Sequence, residues 1–460
     1  MDAETPTPRA GGWRQRIWPE WMTRDVSLVL FARLSMSAAR ALAGVIVPIY
    51  LVLIGFNAVE LGMLFVAVAI VSAVFSSVVG LLSDRIGRKP FLIALPLFAA
   101  LAAVTFALTR NVTLLFAFAA LGSFGRGAGA GAGMIGPYQP AEQALLADAA
   151  PPRARNDIFG RMAFFSSLGA LIGGGPLAAM PDLLPRLPGG MTAMGSYHVA
   201  YYVMAALAVV AALIVLPIAE TRRPHAPHSA RVAGTPATPR SWNPLRGVSS
   251  ASWPILLRLW ATNSVNGLAI GFFGPFTTYW FNVRFGAGPG AIGALYTVVN
   301  LAALASNLYA PRLAARLGLV RAITWSRAFQ AILMFPMVLA PTFWLAGAIY
   351  LVRMQAQRIA LPLRQSYVMA VVPSHERGAV GALSNLPTQV TSAISPAAAG
   401  YIFANISLAL PFEIGAALQG LNALMFYFFF HDTRPPEERS AEHTSASEPD
   451  AAGQPALGAR

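Results

Sequence analysis

The chain has 460 residues, 56% hydrophobic and 11% charged, with a mean hydropathy of +0.57 and a formal net charge of +14. A soluble domain carries about 25% charged residues, so this balance excludes an ordinary water-soluble protein. The chain has no cysteine, which excludes disulfides, thiolate catalysis and cysteine-bound metals.

Residues 1–12 are polar and rich in Pro and Ala, and the first apolar run is too long for the core of a cleavable leader, so no signal peptide is expected. Residues 1–26 are read as a cytoplasmic N-terminal segment. Within it Trp13, Trp18 and Trp21 alternate with Arg14, Arg16 and Arg24, which suits the membrane surface. Twelve apolar runs follow, at 27–53, 60–83, 91–109, 112–135, 157–180, 198–219, 255–281, 290–310, 321–340, 343–367, 379–403 and 409–430. A bilayer-spanning helix needs about 20 residues, so the predicted fold is all-α, an integral membrane protein with twelve transmembrane helices.

The runs fall into two six-helix bundles, 27–219 and 255–431. Between them, 220–254 is rich in Pro, Arg, His and Ser and reads as a linker; 432–460 is a polar tail expected to be disordered. Arg85, Arg88, Lys89, Arg153, Arg155, the linker arginines, Arg312, Arg316, Arg321 and Arg377 share one side, against Arg110, Arg186 and Arg284 on the other. The positive-inside rule then puts both termini and the linker in the cytoplasm. It also explains the basic charge without nucleic acid.

The two halves repeat in order. Pro311–Gly318 aligns with Gly80–Gly87, Pro373–Arg377 with Pro151–Arg155, and Ser395-Pro396 with Gly175-Pro176. Two parallel repeats of six helices are a transporter design. The second copy has Ala315 where the first has Asp84.

Between the second and third runs lies Gly80-Leu-Leu-Ser-Asp84-Arg85-Ile-Gly87-Arg88-Lys89-Pro90. Asp84 ends a helix, where an anion opposes that helix's own dipole and needs an outside partner. The stretch resembles the cytoplasmic loop signature G-x-L-a-D-r-x-G-r-k of the major facilitator superfamily, matching at Gly80, Leu82, Asp84, Arg85, Gly87, Arg88 and Lys89. The run Pro140-Ala-Glu142-Gln143 to Asp148, with Pro151 to Arg155 after it, resembles the same family's fourth-to-fifth connection. The resemblance implies the major facilitator fold, two pseudo-symmetric six-helix bundles that alternate access to a shared solute site. It also implies that Asp84 latches onto the N-terminal end of the eleventh helix when the protein opens outward. Arg88 is expected to pair with Asp148.

Several polar residues fall inside apolar runs, where an ionisable group faces a cavity or a partner. Arg126, in Gly125–Gly133, resembles the family's fourth-helix arginine-glycine motif without its usual glutamine; the resemblance implies a part in proton movement, against a plain role in helix packing. Arg33 and Arg40 lie seven residues apart on nearly one face, and Arg353 and Arg358 sit in the tenth run. Cationic side chains without acids at mid-depth favour an anionic or strongly polar solute. The alternative is that these arginines pair with Glu142, Asp148 or Glu376 near the cytoplasmic surface. Asn263, Asn266, Asn300, Asn385, Thr388 and Gln389 supply neutral groups for solute contacts or for interhelical bonds. Phe272, Phe273, Phe276, Tyr279 and Trp280 read as packing. Gly169, Gly173, Gly174, Gly175 and Pro176 partly resemble the family's antiporter signature, a hint of export, and would also bend the fifth helix.

No nucleotide-binding loop, hydrolase motif or metal-ligand spacing is present, and the six histidines lie in loops, linker, tail or span ends. No enzyme, cofactor or metal site is expected. The reading is a secondary transporter, proton-coupled and exporting, a monomer in a bacterial inner membrane whose partners are a small solute, protons and lipid. An anion transporter or exchanger is the alternative, and a non-transporting sensor of the same fold a further one.

Overall fold

The computed structural model describes residues 22–123, 138–149, 155–218, 249–250, 252–373 and 376–431. Every regular element among them is helical. In chain order these are α1 (Arg24–Leu53), α2 (Ala58–Ile86), α3 (Lys89–Leu108), α4 (Val112–Gly122), α5 (Gln139–Ala149), α6 (Arg155–Ile172) and α7 (Met180–Leu183). After them come α8 (Ala193–Val215), α9 (Trp253–Phe273), α10 (Thr277–Phe285), α11 (Pro289–Leu317), α12 (Leu319–Leu339), α13 (Phe343–Val371), α14 (Arg377–Asn405) and α15 (Leu410–Phe430).

Each of the twelve expected runs falls on helix, with three departures; in the fifth, the π-helical turn Gly173–Leu177 and the turn at 178–179 interrupt the α-helix. The fourth is described only as far as α4, which closes on Ser123 in the left-handed region at φ 56°; Phe124–Pro137 lie outside the described residues. The seventh is divided at Gly274–Phe276, around Pro275, because proline removes a backbone donor and crowds the preceding turn. Seven described helices are long and apolar enough to cross a membrane. Others, such as α9, α13 and α14, carry arginines or amides that lower their hydropathy.

The chain folds into two compact units. Unit 1 takes the described residues of Met1–Ile54, Ala67–Pro227 and Gly288–Thr297; unit 2 takes those of Gly55–Val66, His228–Ala287 and Val298–Arg460. In unit 1, α1 is the central element. It is buried along nearly its whole length and packs on α6 and α8. Its small residues let backbones touch: a Cβ on Gly173 would run into the Ala38 carbonyl oxygen, so only glycine fits there. Gly173–Leu177, which contains Gly175 and Pro176, is a π-helical turn between α6 and α7. Rings of Tyr50, Phe106 and Tyr201 pack beside α1, and the Tyr50 hydroxyl donates to the Phe106 carbonyl at 3.3 Å. The Asp182 carboxylate accepts from the Gly290 amide at 2.8 Å and so caps the start of α11.

In unit 2, α9 packs on α14 and α15, and α12 on α13 and α15. Phe276, Trp280, Phe403 and Phe412 form a buried aromatic cluster in this unit, the packing role read from the sequence for Phe276 and Trp280. Phe426, Phe430 and Tyr367 close a second apolar cluster with Leu256, Leu259 and Ile323.

Candidate functional site

Each unit holds buried polar side chains inside its helices. In unit 1, α1 carries Arg33 and Arg40, each 5% exposed. Seven residues is about two helical turns, so both point the same way. Arg33 pairs with Glu142 of α5 and donates to the Ser166 hydroxyl of α6. The pair is fully interior, and two such charges survive burial only because each satisfies the other. Arg40 lies within electrostatic reach of Tyr138 and Arg33, and its Nε has no hydrogen-bond partner among the described residues. A cavity of about 20 Å³ is lined by Arg33, Tyr138 and Glu142 together with apolar side chains of α1, α3 and α8.

In unit 2 the buried arginines meet other chemistry. Arg364 of α13 forks to two amides, donating to Asn263 Oδ1 of α9 at 2.6 Å and to Asn385 Oδ1 of α14 at 2.7 Å. Asn263 donates in turn to the Ser384 carbonyl, and the Thr388 hydroxyl donates to the Asn263 carbonyl at 3.0 Å. Arg353, 2% exposed, lies over the Phe273 ring at 4.2 Å, with the Met354 sulfur beside it. Arg327 of α12 lies over Phe426 at 5.3 Å. Arg353 Nε and Arg327 Nη1 have no hydrogen-bond partner among the described residues. Arg358 donates to Asn300 Oδ1 of α11 at 3.2 Å. Guanidinium over an aromatic face is favourable by up to about 2 kcal/mol when desolvated, less than a charge partner would supply.

The remaining expected residues are more scattered. Asn266 is half-buried on α9 and Gln389 exposed on α14. Gly80, Asp84 and Arg85 lie toward the end of α2; Gly87 has φ 110°, the left-handed turn that favours glycine, and Arg88 is the N-cap residue of α3. Asp148 lies in α5, and the side chains of Asp84, Arg85 and Asp148, like all of Arg126, lie outside the described residues.

Sequence reasoning placed Arg40, Asn263, Asn300 and Arg353 among the candidates, and all four are buried. It did not single out Arg364 or Arg327, and it left open which arginine Glu142 meets. The spacing of Arg353 and Arg364, eleven residues or about three turns, would have put both on one face of α13.

Comparison with known proteins supplies the context. The sequence profile described as Major Facilitator Superfamily matches residues 29–386 and 259–458. The chain is 22% identical to the multidrug resistance protein MdtG of Proteus mirabilis, over 92% of this chain and 98% of that one. It is 22% identical to the quinolone resistance protein NorA of Staphylococcus aureus, over 82% of this chain and 89% of the relative. Among solved structures, the nucleoside transporter NupG superposes with a TM-score of 0.64 at 14% identity, covering 89% of this chain and 99% of that one. A D-xylose-proton symporter gives 0.63 at 13% identity, over 89% and 98%. At these identities the structural likeness establishes the fold.

Proposed function

The chain belongs to the major facilitator superfamily, a transporter of small solutes across a membrane and not an enzyme, and on that premise we propose that it is a proton-coupled exporter. Rocking of the two six-helix bundles, 27–219 and 255–431, opens a shared solute site to each side in turn. The protein acts as a monomer in a bacterial inner membrane with both termini in the cytoplasm. The relatives named for multidrug and quinolone resistance support the direction of transport.

A second reading, that the solute is an organic or inorganic anion, is favoured by a particular observation. Arg327, Arg353 and Arg364 are buried in unit 2 with aromatic faces, a thioether and amide oxygens as partners, and with no carboxylate paired to them among the described residues. Uncompensated buried charge is expensive, and a solute anion would supply what the protein withholds.

The test is flux in proteoliposomes under an imposed pH gradient, against a panel of organic and inorganic anions and lipophilic cations. Gradient-driven anion movement supports both readings. Movement of cations alone defeats the anion reading and leaves the exporter reading intact. No flux of any compound points to a sensor. In the same assay, Asp84→Asn is expected to slow transport at normal expression; an unchanged rate removes the latch.

A further inference from the structure

Helix α11 begins without a cap of its own. The residues around its start are Gly286-Ala287-Gly288-Pro289-Gly290, and none carries a side-chain acceptor. Its first turn holds no acid either. The Ile292 amide donates to the Gly288 carbonyl at 3.2 Å, but ahead of it Pro289 has no N–H and the Gly290 amide has no carbonyl within the helix to reach. The acceptor comes from 108 residues upstream. Oδ2 of Asp182, on α7, takes the Gly290 N–H at 2.8 Å. The seat for this carboxylate is made by missing side chains: a Cβ on Gly288 would stand 2.6 and 2.8 Å from its two oxygens, and one on Gly290 2.9 Å from Oδ2. Among the described residues no cation forms an ion pair with Asp182, and the Tyr197 phenol of α8 lies within its electrostatic reach. The contact is therefore a carboxylate set against the positive end of a long helix. Such a cap shifts an equilibrium by about 2- to 30-fold.

Its place in the chain gives this contact a use. The sequence puts Asp182 just past the fifth run, in the first six-helix bundle, and Gly290 at the start of the eighth, in the second. Both adjoin arginines read as lying outside, Arg186 and Arg284. Yet Gly288–Thr297 share a compact unit with Asp182, and the boundary of that unit falls within α11, after Thr297. Rocking of one bundle against the other has to part this contact. We propose that Asp182 is a positioning residue for transport: its carboxylate, seated on the start of α11, latches the outer side shut, and opening to the outside releases it. A charge held by a helix end suits a part that cycles. Asp182 is half-buried, so parting strands no buried countercharge. The inference rests on the alternating-access reading given above. Its rival is that Asp182 only ends α11 and steadies the fold in every state.

The test is a distance between two spin labels on the outer side. The chain has no cysteine, so Leu187→Cys and Val283→Cys, both at exposed positions, give a unique labelled pair. Pulsed electron paramagnetic resonance in nanodiscs then reads the ratio of long to short distances. Asp182→Ala should raise that ratio about 2- to 30-fold, and Asp182→Asn by less, because its amide oxygen still accepts but carries no charge. Gly288→Ala keeps the carboxylate and fills its seat, so it should produce the same shift and add nothing on top of Asp182→Ala. A lower melting temperature with an unchanged ratio in Asp182→Ala is the rival's result and overturns the latch, as does full additivity of the two substitutions. If Asp182→Ala fails to fold, Asp182→Asn and Gly288→Ala carry the same test. One unvarying distance in the wild type and every variant overturns alternating access together with the latch. Two populations that ignore both Asp182 and Gly288 overturn the latch alone.

Discussion

In unit 1 the guanidinium of Arg33 meets a carboxylate; in unit 2 those of Arg327, Arg353 and Arg364 meet rings, a thioether and amide oxygens. All four are buried by the same helical packing, yet the electrostatic consequences differ. A buried ion pair is roughly self-compensating, so losing one member exposes the cost of the other. A buried cation held by dipoles and quadrupoles is already under-compensated, so removing it relieves a cost. Burial alone therefore does not say which arginines a membrane protein keeps for stability and which for its solute; the partner does.

The contrast can be broken most sharply at Arg33. Arg33→Met strands the Glu142 carboxylate and is expected to destabilise the protein by about 3–5 kcal/mol, read by thermal or chemical unfolding in detergent. Arg364→Lys should lose about 1.5–3 kcal/mol, because a point charge cannot span the two amides that the guanidinium fork reaches. Asp182→Ala, which removes the cap on α11, is expected to cost about 0.5–2 kcal/mol; it measures what a carboxylate contributes in unit 1 without a cationic partner in the pair. Arg353→Met should be the mildest for stability, within about 1 kcal/mol of wild type or more stable, while transport falls. An Arg353→Met loss as large as that of Arg33→Met would erase the distinction between the units.

What the sequence disclosed follows from the range of the interactions. The signature loop around Gly87 is local, and its glycine has the left-handed φ that a turn between antiparallel helices requires. The twelve apolar runs are local too, and as far as they are described they fall on helix except at the breaks in the fifth and seventh. The break in the seventh was signalled by Gly274-Pro275, a pair that interrupts helices, but a hydropathy reading passes over it. Arg40 and Arg353 stood out because a charge in an apolar run is conspicuous. The Arg33–Glu142 pair did not, since its members are 109 residues apart and Glu142 sits in a stretch of low hydrophobicity. Arg364 was hidden by position, near the predicted end of the tenth run, where an arginine is ordinarily assigned to the interface. Its partners lie 101 and 21 residues away, on helices that only packing brings together.

The fork of Arg364 has a mechanical corollary. One guanidinium fastens α9, α13 and α14 at a single depth, and Asn263 adds its own bonds to Ser384 and Thr388 of α14. A node of this kind behaves like a rivet: none of the three rods can slide by a turn against the others without shedding several polar contacts at once. If unit 2 changes shape during its working cycle, these three travel as one block, and the slippage must fall on seams that the rivet does not cross.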